Sequence, residues 1–336
     1  LPPPGLRLLA FDDGGMRGLA MLLLLRHVLR KFQQDARLHS LPLPWERFDI
    51  IAGCGTGGFI ALLLGRLRLS IDRAIECYVR LVEHALTQIK SGGTFKATSL
   101  EKVLKEICSR FGGGDETSIL DLDPRSCKTF VITREEYEPG RAMLRRLRTY
   151  RHPTEAVFNC TFLEAVRATM GNPTFFKPWS VLEGEKHATY LDAGDDHCNP
   201  VFALYEEAKV LYPDQDVAYL LSLGPGTADT VGDNPPRIFV NQIRLPSTFL
   251  TALRHLADRC DHIASEFQAK YGNFDGRYCR LTPLPLTNDR RILPEQEEIL
   301  EDLVWQHLTS VPDRWTSYVH AMTYEKALRH DKRIDN

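Results

Sequence analysis

Phe48-Asp49-Ile50-Ile51-Ala52-Gly53-Cys54-Gly55-Thr56-Gly57-Gly58 is the stretch on which the fold turns. An apolar run of strand length enters a glycine-rich turn without a spacer, and an apolar helical stretch follows through Leu64. The start of the chain repeats this succession. Leu6-Arg7-Leu8-Leu9-Ala10-Phe11 reads as a strand and Asp12-Asp13-Gly14-Gly15 as a turn. Gly18 through Phe32 reads as a helix dense in Leu, with Arg26, Arg30 and Lys31 late in it, where cations suit the helix dipole. Two strand, glycine turn, helix units in such close succession predict an α/β fold with a mostly parallel sheet flanked by helices.

The alternation continues outward. Helices are expected over 71–89 and 100–111, a strand over 127–133, and a short helix over 162–169 that Gly171-Asn172-Pro173 ends. A strand over 188–191 stops at Asp192. A helix over 201–210 and a strand over 217–223 follow, the latter running into Gly224-Pro225-Gly226. A long helix is expected from after Pro246 to about Lys270. The tail reads as helical over 295–307 and 316–330. No Ser/Gly-rich linker divides the chain, so the expectation is one α/β domain over 1–285 with a helical C-terminal extension, 286–336, packed on it.

Composition bounds the function. A chain of 336 residues with 43% hydrophobic and 26% charged residues supports a large core and excludes wholesale disorder. Lys plus Arg total 42 against 44 Asp plus Glu, so no nucleic-acid partner is expected. The eight cysteines form no CxxC pair, which argues against a zinc knuckle or thioredoxin-like site and for a reducing, cytoplasmic location. The N-terminal residues carry no signal-peptide pattern, and the first residue is not Met, as in a chain processed or cut from something larger. The longest apolar stretch, 50–65, is glycine-broken and shorter than a membrane span, so membrane contact is expected to be peripheral.

Glycines between a strand and a helix let backbone N–H groups point at an anion. Both turns have this form. Gly53, Gly55 and Gly58 also satisfy G-x-G-x-x-G, with Asp72 further on as a dinucleotide site would want. Asp72 stands at a helix start, however, where an acid serves the helix N-terminus. The turn at 53–57 also has the frame of a nucleophile elbow, G-x-S-x-G, with Gly55 at its centre in place of the hydroxyl.

These motifs together resemble the patatin-like phospholipase family. Asp12-Asp13-Gly14-Gly15-Met16-Arg17-Gly18 is similar to its oxyanion loop D-G-G-G-x-R-G. Gly53-Cys54-Gly55-Thr56-Gly57-Gly58 is similar to its elbow G-x-S-x-G-G. Asp192-Ala193-Gly194 followed by Cys198-Asn199-Pro200 is similar to its D-G-G/D-G-A and N-N-P segments. Asn172-Pro173-Thr174-Phe175-Phe176, Gly224-Pro225-Gly226 and Tyr278-Cys279-Arg280-Leu281 echo further family stretches. The resemblance spans roughly residues 6–285 in order. It implies a three-layer fold and hydrolysis of phospholipids or other acyl lipids by a Ser–Asp dyad, with neither cofactor nor metal. The implied site holds Gly55 at the nucleophile position and Asp192 as base. Asp13, Gly14, Gly15, Met16, Arg17 and Gly18 form its oxyanion loop, and Gly53, Cys54, Thr56 and Gly57 its elbow.

The departures decide what activity to expect. Gly55 removes the nucleophile, so no acyl-enzyme forms there. Asp13 stands where the family carries glycine, and an anion beside a developing oxyanion opposes it unless it points away. Cys54 and Thr56 project differently from position 55 and are expected to pack at the elbow. Gly55 is open to three readings: natural decay of catalysis, a deliberate replacement of Ser in a true hydrolase, or a sequence variant. The expectation is an acyl-hydrolase domain impaired as written, or alternatively a non-catalytic lipid-binding or signalling domain of a larger protein. A basic run with Arg141, Arg145, Arg146, Arg148 and Arg151 is a contact for anionic lipid headgroups or nucleic-acid phosphates, or else a solvated face. Asp195-Asp196-His197-Cys198 places four donors in sequence, but adjacent positions rarely converge on one metal.

Overall fold

The computed structural model describes residues 5–87, 89–90, 93–138, 140–183, 186–228, 247–272 and 277–283. The expected extension over 286–336, with its two helices, lies outside the described residues.

Strand β1 (Leu6–Phe11) lies at the centre of the sheet. On one side it pairs in parallel with β2 (Ile50–Cys54), which pairs in parallel with β3 (Lys128–Glu138). On the other side β7 (Val217–Leu223) and β8 (Tyr278–Leu281) follow, also parallel. The far wing is antiparallel. Strand β3 pairs with both β4 (Arg141–Arg148) and β6 (Lys186–Leu191), and β6 pairs with β5 (Trp179–Glu183). The sheet is therefore mixed, with five parallel strands and an antiparallel flank.

Side-chain alternation on buried strands sets the layers. Leu9, Phe11 and Ile51 face one layer, built on α1 (Gly18–Asp35), α3 (Gly55–Ala61), α4 (Ile71–His84), α5 (Ala97–Ile107) and α6 (Phe162–Thr169). A four-residue α2 (Pro44–Arg47) leads into β2. Leu8, Ala10, Ile50 and Ala52 face the other layer, built on α7 (Val201–Leu211) and α8 (Ser247–Tyr271). Among the described residues no helix is long and apolar enough to cross a membrane.

Two strands went unread in the sequence. The basic run forms β4, and its arginines find acids on β3, on α7 and in the loop after β4. Arg148 is buried against Glu207 at 2.5 Å and reaches Glu155 at 2.9 Å. Arg146 meets Glu206 at 2.9 Å, and Arg145 pairs with Glu135. These three side chains thus serve intramolecular ion pairs, Arg145 and Arg146 at a partly exposed face, which leaves less free charge for a lipid contact. The Asp195–Cys198 run is likewise dispersed. Asp195 meets His255 at 3.0 Å, Asp196 meets Arg259 at 3.1 Å, and the Cys198 thiol donates to the Asp195 carbonyl. Asp72 lies in the first turn of α4, which Ser70 caps, and faces Arg26 at 3.7 Å.

Candidate functional site

The two glycine turns meet at the ends of β1 and β2. Helix α3 begins at Gly55 directly after Cys54, so the chain reverses without a loop. Gly57 permits this closeness: a Cβ there would lie 2.1 Å from the Asp12 carbonyl oxygen. Gly55 carries φ +52°, a left-handed backbone that favours glycine. Its amide donates to the Thr169 hydroxyl at 2.9 Å, and that hydroxyl donates to the Ile132 carbonyl at 2.7 Å.

Asp13 folds over this turn. Its Oδ1 accepts from the Gly14 amide at 2.8 Å, and from the Thr56 amide and hydroxyl at 3.0 Å each. The Gly15 amide approaches it at 3.5 Å. The carboxylate covers Gly55 so closely that a Cβ at position 55 would lie 2.1 Å from Asp13 Cγ. Residues 13 and 55 thus compete for one volume. Burial pushes the Asp13 pKa up to about 6, partly offset by the Thr56 amide, while the nearby Asp192 charge raises it further.

The rest of the first loop braces this arrangement. Gly14 packs on Pro225, whose Cβ would lie 2.5 Å from a Cβ at 14. The Tyr78 hydroxyl donates to the Gly15 carbonyl, and it also fills the space beside Gly18. The Arg17 amide closes a turn onto the Gly14 carbonyl at 3.0 Å, and burial lowers the Arg17 pKa to about 10. Below the loop, Arg280 contacts Asp12 at 2.5 Å and Asp261 at 2.9 Å, tying β1 and β8 to α8. At the end of β2, Gly53 sits against the Gly57 carbonyl. The buried Cys54 thiol donates to the His197 carbonyl at 2.8 Å, and burial raises its pKa well above the ordinary value.

Asp192 follows β6 and is 5% exposed. Its Oδ2 accepts from the Asn172 amide at 2.7 Å, and its Oδ1 faces Arg134 at 3.3 Å. Burial raises its pKa, with Asn172 and Arg134 pulling the other way. Asn172 belongs to a stretch the sequence singled out. Arg134 and Thr169 do not, because only the pairing of β3 with β6 and the packing of α6 bring them here. Asp13, Met16, Gly55 and Thr56 open into a cleft whose walls include Phe95, Phe175, Phe249 and Leu253. Its rings interlock, with Phe95 and Phe249 at 4.8 Å and Phe175 and Phe249 at 5.3 Å. The structure therefore gathers both glycine turns and Asp13 at one cleft, with Asp192 near enough to act on the Asp13 charge.

The family profile described as patatin-like phospholipase matches residues 9–204 of the 336. The chain belongs to this family. The matched span runs from β1 into α7 and includes both turns and Asp192. Calcium-independent phospholipase A2-gamma of Rattus norvegicus is 28% identical over 239 residues, covering 66% of this chain and 28% of that protein. "Phospholipase A I" of Arabidopsis thaliana is 22% identical over 296 residues, covering 68% of this chain and 21% of that protein. "Probable inactive patatin-like protein 9" of Arabidopsis thaliana is 27% identical over 257 residues, covering 69% of this chain and 63% of that protein. The chain thus spans only about 28% of the calcium-independent phospholipase it matches. It is a patatin-like lipid-hydrolase domain by family.

Proposed function

We propose that this domain binds acyl lipid at the patatin-like site without hydrolysing it. The observation that carries this reading is the Asp13 carboxylate lying on the face of Gly55, where a nucleophile would stand. In the dyad chemistry of the family, a hydroxyl at position 55 attacks the ester carbonyl and Asp192 takes its proton. Backbone amides of the first loop and of the residue after the nucleophile hold the oxyanion. Here position 55 has no hydroxyl. The amides of Gly14 and Thr56 already donate to Asp13 Oδ1, so an oxyanion would lose those donors and meet a negative charge. Cys54 does not replace the nucleophile, since its thiol is buried, bonded to a carbonyl and held protonated by burial.

Asp192 keeps the base position but spends its oxygens on Asn172 and Arg134. The reading invokes no cofactor and no metal. It places the domain within a longer protein, as the coverage of the relatives supports, in the cytoplasm with peripheral membrane contact. The test is acyl release from mixed phospholipid vesicles. The chain itself and Gly55→Ser release none. Asp13→Gly with Gly55→Ser releases fatty acid, and adding Asp192→Asn abolishes it. Acyl release by the unmodified chain would overturn the reading.

A further inference from the structure

Asp13 divides its carboxylate unequally. Oδ1 takes the donors of Gly14 and Thr56, while Oδ2 accepts no hydrogen bond among the described residues. The residue is only 8% exposed and stands in the floor of the cleft beside Gly55. With Oδ1 tied up by the loop amides, Oδ2 is the Asp13 acceptor left for a donor that arrives from the apolar-walled cleft. A second anion, Asp192, acts on the same floor. The walls are apolar and aromatic, with Phe95, Phe175, Phe249, Leu253 and Met170. An apolar slot with an acceptor floor selects the opposite head from an oxyanion-binding floor.

We propose that this cleft takes a single-chain lipid whose head donates a hydrogen bond to Asp13 Oδ2, a long-chain alcohol or protonated amine, and rejects fatty-acid carboxylates. The proposal rests on the non-hydrolytic reading above. The cleft holds ≈ 440 Å³ of space, its open mouth included. Asp13→Asn supplies a sharp control. Two backbone amides donate at the Oδ1 position, so the carboxamide oxygen must stay there. Its NH₂ then takes the place of Oδ2 and turns the floor into a donor.

The experiment titrates the chain with 1-octanol, octylammonium and octanoate by calorimetry near neutral pH, alongside turnover of an octanoyl ester. Octanol or octylammonium is expected to bind at least about tenfold tighter than octanoate, since like charges in contact repel. Asp13→Asn is expected to reverse that order. Binding by both donors marks selection of a donor, and binding by octylammonium alone marks selection of its charge; either supports the proposal. Octanoate binding as tightly as the donors, or binding by none of the three, overturns it. Ester turnover by the unmodified chain would instead sink the non-hydrolytic reading. Should Asp13→Asn fail to fold, the ranking on the unmodified chain still decides.

Discussion

The loop after β1 and the loop after β6 each bury a carboxylate, and they neutralise it by different means. Asp192 is held chiefly by side chains, the Asn172 amide and the Arg134 guanidinium, with a lesser contribution from the Gly194 backbone. Asp13 is held by backbone amides and one hydroxyl, with no cation in reach among the contacts it makes. Side-chain partners leave the backbone free for a ligand. Backbone partners use up donors that a ligand's oxyanion would need. Two carboxylates of similar burial therefore have opposite consequences, one compatible with a catalytic base and the other closing the site to anions.

The sharpest way to break this contrast is to force a side chain into position 55. Gly55→Ser must displace the Asp13 carboxylate and strip its buried hydrogen bonds, and is expected to cost about 3–5 kcal/mol of unfolding free energy. Asp13→Gly in the same chain should return most of that loss. A double-mutant cycle read by urea unfolding checks it; additive effects would show that the two residues do not compete.

A smaller effect separates the loops by pH. The folded-state pKa of Asp13 is raised to about 6, so the native state binds the proton more tightly than the unfolded chain. Its contribution to stability is then present below the unfolded pKa and is lost as pH rises through about 6. Asp12 and Asp192 are raised too and bend the curve the same way. Asp13→Asn should therefore flatten the stability curve by about 3 kcal/mol between acid and neutral pH. An unchanged slope would mean that Asp13 titrates normally.

The smallest effect belongs to the Asp192 side. Arg134→Gln removes the facing cation and should cost about 1–2 kcal/mol, discounted because Arg134 is partly exposed. It should also move the Asp192 pKa further up, readable by carboxyl NMR. A carboxylate that titrates unchanged would make Asn172, and not the ion pair, the group that holds it.

Much of the fold was legible. The spans of β1, β7 and α6 follow from apolar runs bounded by turn residues, and β8 from the family resemblance, and the structure places them there. Strands β4 and β5 were not legible. Arg141–Arg148 carries four arginines in eight residues, and its strand character appears only when Glu135, Glu206 and Glu207 come alongside. Trp179–Glu183 is short and forms as a strand against β6. The same limit applied at the site. Gly55, Asp13 and Asp192 stand out in sequence, while Arg134 and Thr169 do not, being ordinary residues until β3 and α6 bring them in.

What the sequence determined by itself is local. Glycine after an apolar strand sets two abrupt strand-to-helix turns, and the absence of a hydroxyl at Gly55 is read without any structure. What only the tertiary structure decided is where the Asp13 carboxylate goes. In sequence it was an acid in a glycine loop that pointed either toward or away from the site. The parallel register of β1 with β2 brings the two loops together, and Oδ1 then finds the Thr56 amide 43 residues along the chain. A hydrogen bond between distant segments depends on packing, and no local pattern encodes it.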